Sequence, residues 1–239
     1  MVTIRPLRAR PRRYKITPLR IFVALALLIM LVGGSTLYVA RTWAPSRTTY
    51  PVQGVTVSAE SGEVIWQTAR AAGVDFAYLL ATIGADARDP AFLANLAAAR
   101  ELGIRHGAIH RYSLCRSATA QATEYIANVP RADDMLPPVI QLDFWPDCPT
   151  RPSRDRLLAE LNTFLNQIEA HSGKPAILRL SRPFEGQYEL SSGINRTLWL
   201  EGNGLAPDYA TRPWVIWTAS TWRRVPGIHG AVEWDVVKP

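Results

Sequence analysis

The strongest constraint on this chain lies at its start. An uncharged run, residues 21–40 (IFVALALLIMLVGGSTLYVA), follows seven basic side chains, Arg5, Arg8, Arg10, Arg12, Arg13, Lys15 and Arg20, with no acidic residue among them. About twenty apolar residues are what an α-helix needs to cross the hydrocarbon layer, and basic flanks stay on the cytoplasmic side. The expectation is a membrane-anchored protein: a basic cytoplasmic tail at 1–20, a transmembrane signal anchor at 21–40, and everything after Arg41 on the periplasmic or extracellular side. A cleavable signal peptide has the same order of basic and apolar residues. Against it, the run exceeds the ~7 to 15 residues usual there, and Tyr38 stands where cleavage wants a small side chain.

Nine of the 27 basic residues and none of the 20 acidic ones precede Tyr50, so the net +7 belongs to the tail. The remainder, 18 basic against 20 acidic, is near neutral. A nucleic-acid partner needs a basic patch on the fold itself, and none is expected. The membrane is a partner through residues 21–40; protein partners leave no signature. No His or Cys cluster has metal spacing, no glycine-rich loop resembles a phosphate cradle, and no serine nucleophile motif occurs. No metal or cofactor is therefore expected.

Residues 41–51 are short, polar and carry two prolines, reading as a linker to one domain at 52–239. Within it, β-rich runs at 53–58, 76–82, 106–112, 138–144, 176–181, 197–202, 214–220 and 231–237 alternate, over the first five, with helical patterns at 64–72, 91–102, 117–128 and 153–171. Strands separated by helices of this length imply βαβ units and a parallel sheet. Eight of them suggest an α/β fold, an irregular eight-stranded β/α (TIM-like) barrel whose later half is joined by loops.

Chemistry in such a barrel gathers at the carboxyl ends of the strands. The fourth predicted strand ends there with Gln141 and Asp143 on one face, and the last offers Glu233 and Asp235 with the same spacing. Carboxylates reaching a barrel mouth from two strands suit glycoside hydrolysis, in which an acid protonates the leaving oxygen and a second group manages the oxocarbenium charge. Carboxylates at strand ends also cap helices or pair with arginine, so spacing alone leaves both readings open. Cys115 and Cys148 follow neighbouring strands at one barrel end, and a disulfide is expected between them, two buried free thiols being the alternative.

The order of several motifs resembles glycoside hydrolase family 25, the lysozymes that cut the muramic acid linkage of peptidoglycan. The resemblance is carried by 54–58 with Gly62 and Trp66; Gly73, Val74 and Phe76 with Ala81, Thr82 and Gly84; Asp89, Phe92 and 95–103; 107–110; 136–143; 173–177; Trp199; 214–217; and 225–230. It implies an N-acetylmuramidase-type glycosidase on a β/α barrel. It also implies catalytic positions that this chain alters. Thr56 stands where the family has Asp, Ile83 where it has Glu, Gln141 and Asp143 where it has an Asp-x-Glu pair, and Glu233 where it has Asp.

On that reading Asp143 is the acid, set among Leu142, Phe144 and Trp145, with Glu233 or Asp235 as the supporting carboxylate. Gln141 and Thr56 become substrate-binding groups. Aromatic rings suit sugar faces, and Trp145 and Trp199 are the preferred site members. Trp214 and Trp217, three apart on one strand, are expected to face opposite ways. His110 matches a family position and is either a substrate-binding group or a structural histidine. Two functions follow: an anchored hydrolase of peptidoglycan strands, or a glycan-binding scaffold that keeps the cleft without turnover.

Overall fold

The computed structural model describes residues 17–239; residues 1–16, most of the expected basic tail, lie outside the described residues. The chain divides into two compact units that meet after Ala40. In the first, α1 (Pro18–Thr42, its last two residues in the second unit) is the one helix among the described residues long and apolar enough to cross a bilayer, with mean hydropathy 2.3. At about 1.5 Å per residue its 25 residues extend about 37 Å.

The second unit, Arg41–Pro239, is the barrel. It runs β1 (Gln53–Val57), α2 (Trp66–Ala71), β2 (Phe76–Ile83), β3 (Ala87–Arg88), α3 (Phe92–Glu101), β4 (Arg105–Arg111), α4 (Ala118–Asn128), β5 (Val139–Leu142), α5 (Arg154–Ser172), β6 (Ile177–Leu180), α6 (Arg182–Tyr188), α7 (Leu190–Gly193), β7 (Thr197–Glu201), β8 (Ile216–Arg224) and β9 (Ala231–Val237). The ring closes in the order β1-β2-β4-β5-β6-β7-β8-β9 and back to β1, with β3 a two-residue antiparallel extension on β2. All eight expected strands are present.

Direction is where the expectation needs correcting. Strands β1 to β8 of the ring pair in parallel, but β9 is antiparallel to both β8 and β1. Parallel neighbours need a crossover of a dozen or more residues; only six, 225–230, separate β8 from β9, enough for a hairpin. The short helices α6 and α7 were also not foreseen. Ser181 caps α6 by accepting from Phe184 N, Pro183 sits in its first turn where a missing N–H costs nothing, and seven residues give too little periodicity to read.

Strand alternation sorts the core into two layers. Phe76, Tyr78, Ile109, Val139, Ile177, Trp199 and Ile216 fill the barrel interior. Their neighbours, such as Leu79, Ala108, Ile140, Leu178 and Leu198, face the helical layer around Leu161, Phe164 and Ile168. Gly107 is required by this packing, because a Cβ there would penetrate the ring of Tyr78. Segment 41–51 lies against the barrel: Trp43 and Tyr50 pack on Trp217, and Tyr50 stacks on Trp214. Gln53 ties it down by donating to the carbonyls of Pro45 and Tyr50.

Candidate active site

The mouth of the barrel, at the carboxyl ends of the parallel strands, opens into a cavity of about 600 Å³. That lies within the few hundred to 1,000 Å³ typical of ligand sites. Alternation delivers its lining: Val139 points in, Ile140 out, and Gln141 in again, joined by Thr56 from β1, Arg111 from β4 and Glu233 from β9. Trp145, just past β5, forms one wall; its indole donates to Tyr112 O (3.0 Å), and the Arg111 guanidinium lies 3.6 Å above its ring. Ile83, where a carboxylate was looked for, leaves that part of the wall apolar.

Below the mouth lies a buried ionic network that sequence reasoning missed. Arg179 of β6, 1% exposed, donates from Nη1 and Nη2 to the two oxygens of Glu233 (2.6 and 2.8 Å) and from Nε to Glu201 (2.8 Å). Burial alone would lower its pKa, but Glu233 and then Glu201 more than offset this and hold it above its ordinary value. A lone Arg in the apolar run Ile177–Leu180, at an inward position, was the available signal, since arginine is rarely buried unless paired.

Asp235 was expected beside Glu233 at the mouth. The reversed direction of β9 puts it two residues deeper instead, at 0% exposure. Its carboxylate accepts from Thr56 Oγ1 (2.9 Å) and Thr218 Oγ1 (2.7 Å), and Thr218 in turn accepts from Trp199 Nε1 (2.8 Å). Burial pushes the Asp235 carboxyl up to about 7; Glu233 adds to this, while Arg179 and the two hydroxyls oppose it. Buried this way, Asp235 reaches the mouth by a hydrogen bond through Thr56 and electrostatically through Arg179 and Glu233.

Three further placements are corrected. Trp199 is fully buried in the barrel, under Arg179 (5.1 Å), and cannot stack on a sugar. His110 faces the helical layer, parity opposite to Ile109, where Thr82 and Gln121 hold its ring nitrogens and Phe164 packs on it. Burial lowers its pKa to about 4, so it is neutral and structural. Trp214 precedes β8 and therefore escapes strand alternation; it touches Trp217 (centroids 6.1 Å) rather than facing away.

Asp143 follows the end of β5, flanked at two residues on either side by the lining residues Gln141 and Trp145. Its Oδ1 accepts from Ser181 Oγ (2.6 Å) and Phe144 N (2.8 Å), so the setting is polar rather than the apolar one expected. Nearby, Cys115 and Cys148 form a disulfide, with Cα atoms 5.8 Å apart, that ties the loop after β4 to the loop after β5.

This closed barrel with an antiparallel last strand and a carboxylate-bearing mouth matches a known sequence family, Glycosyl hydrolases family 25, over residues 55–228. The chain belongs to that family. Within family 25, it superimposes on a glycosyl hydrolase from Bacillus anthracis with a TM-score of 0.74 at 26% identity, covering 82% of this chain and 92% of that one. A bacterial lysozyme from Streptomyces coelicolor gives 0.71 at 27%, covering 77% and 90%. Lysozyme M1 of Streptomyces globisporus is 28% identical over 207 residues, 81% of this chain and 69% of its own. As a family 25 member the chain is a glycosidase, built on the same barrel as these lysozymes.

Proposed function

We propose that this protein is a membrane-anchored hydrolase of peptidoglycan glycan strands, an N-acetylmuramidase that degrades or remodels cell wall. Residues 21–40 hold it in the membrane, the basic tail lies in the cytoplasm, and the barrel works in the periplasm or outside the cell. The observation that carries the reading is the mouth cavity itself, walled by Trp145 and floored by Thr56, Gln141 and Glu233, in a family 25 barrel. Its relatives include proteins described as lysozymes.

In this reading a glycan strand lies across the mouth with a sugar face on Trp145, an apolar ring with a polar edge. Asp143 protonates the departing glycosidic oxygen, and Ser181 fixes the direction of its carboxyl. Glu233 supplies the negative charge that faces the developing cation. Arg179 is shared between two carboxylates, so the cluster Glu201–Arg179–Glu233 carries a net −1 beneath the sugar. Gln141 hydrogen-bonds an acetamido or hydroxyl group.

The test is a zymogram on purified peptidoglycan, paired with release of reducing ends, using the unit from Arg41 onward. Release of reducing ends supports the reading. Retention of the polymer on the protein with no release would replace it with a glycan-binding scaffold.

A further inference from the structure

A second cavity, about 470 Å³, opens at the same end of the barrel between the loop after β4 and the loop after β5. The disulfide Cys115–Cys148 bridges those two loops, and Cys115 lines the cavity. Three arginines line it, Arg116, Arg151 and Arg156, against one carboxylate, Glu160.

The charges are unevenly committed. Glu160 accepts from Ala118 N (2.9 Å), so part of its charge is spent on the backbone at the start of α4. Arg116 pairs with exposed Asp86 (2.7 Å). Arg151 has no acidic partner among the described residues: Nη1 is pinned by the carbonyls of Cys148 and Thr150 (both 2.8 Å), and its guanidinium lies 4.2 Å above Phe144. Arg156 makes no side-chain hydrogen bond or ion pair among the described residues. Two guanidinium groups, one of them oriented, thus line a cavity with donors unused. A planar fork of this kind fits a carboxylate by two parallel hydrogen bonds.

Position says which carboxylate. Consecutive residues divide the two cavities: Arg111 lines the mouth and Tyr112 the arginine pocket, with the Trp145 indole bonded to the Tyr112 carbonyl between them. A polymer seated on Trp145 would carry its side arms toward the adjoining pocket, whose lining begins at Tyr112. We propose that this pocket binds the carboxylates of peptide arms carried by the glycan, and so selects strands that still bear peptides. The inference rests on the peptidoglycan reading above.

It is tested on the full chain in detergent, by tryptophan-fluorescence titration with soluble peptidoglycan strands and with the same strands stripped of peptide by an amidase. The wild type is expected to bind peptide-bearing strands roughly tenfold more tightly, the scale of one charge-assisted hydrogen bond. Arg156→Gln should lose part of that preference and Arg151→Gln with Arg156→Gln all of it, with affinity for stripped strands unchanged. Since the Arg156 side chain makes no hydrogen bond or ion pair among the described residues, its variant tests binding rather than folding. Equal wild-type affinity for both strands, or equal weakening on both in the variants, overturns the subsite while the peptidoglycan reading stands. Binding to neither strand overturns that reading and the subsite with it. Displacement of peptide-bearing strands by inorganic phosphate but not by acetate would reassign the pocket to a phosphate group and overturn the peptide assignment.

Discussion

Asp235 offers the sharpest check on the buried network. The fold lifts its carboxyl from the ordinary 3.8 to about 7. Over that window the folded chain keeps a proton that the unfolded chain has released. Stability therefore falls as pH rises through the window and levels off above it. At ~1.36 kcal/mol per pH unit, the whole gap is worth at most ~4 kcal/mol. Asp235→Asn removes the ionisation and keeps the shape: its amide accepts from one threonine hydroxyl and donates to the other. Urea unfolding of the unit from Arg41 onward, disulfide intact, would be run at pH 5 and pH 8 for both proteins. Between those values the variant should gain about 2 to 3 kcal/mol on the wild type, because two of the three pH units are crossed. Groups common to both proteins cancel in the comparison. A gap that does not change with pH would refute the account of Asp235 as a carboxyl kept protonated by burial.

Arg179→Gln should destabilise the barrel by ~3 to 5 kcal/mol in the same assay, because two part-buried carboxylates lose their partner; a loss below ~1 kcal/mol would mean that water reaches them. Reducing Cys115–Cys148, which are 33 residues apart, should cost roughly 3 to 4 kcal/mol on the loop-entropy scale, and an unchanged urea midpoint would contradict it. Asp143→Asn should abolish turnover while leaving glycan binding nearly intact, and parent-like activity would unseat Asp143 as the acid. Asp143→Glu should raise the rate, since a carboxyl displaced by ~1 Å can cost on the order of a hundredfold, and more so with Gln141→Asp, the two changes being non-additive.

Strand alternation was enough to place Gln141 and Glu233 at the mouth, because one inward neighbour fixes the parity of a whole strand; Thr56 was legible only through the family resemblance. Parity does not encode depth or direction. It therefore put Asp235 beside Glu233 without revealing which is nearer solvent, and Trp199, preferred as an aromatic near a strand end, sits fully buried in the barrel. The short 225–230 connection held the direction of β9 and was read only as a family motif. Arg179 escaped because its partners lie 22 and 54 residues away, at distances no local pattern spans. Trp43 and Tyr50, read as linker, are held by Trp214 and Trp217, again far along the chain.

The network also explains why the altered positions form one arrangement rather than separate losses. Thr56 donates its hydroxyl proton to Asp235 at 2.9 Å. A carboxylate at position 56 would face Asp235 at hydrogen-bond distance, and two carboxylates that close hold one proton between them rather than ionising together. Restoring the family's Asp at position 56 would thus give a pair that carries at most about one negative charge at neutral pH, since one of the two would stay protonated. Glu233 is drawn the other way: its length lets both oxygens meet Arg179, which is itself shared with Glu201. On the proposed reading, the charge that faces a developing cation comes from the balance of Arg179 against two glutamates, above an Asp235 whose carboxyl burial raises to about 7. A single-carboxylate swap would shift that balance before it changed the chemistry.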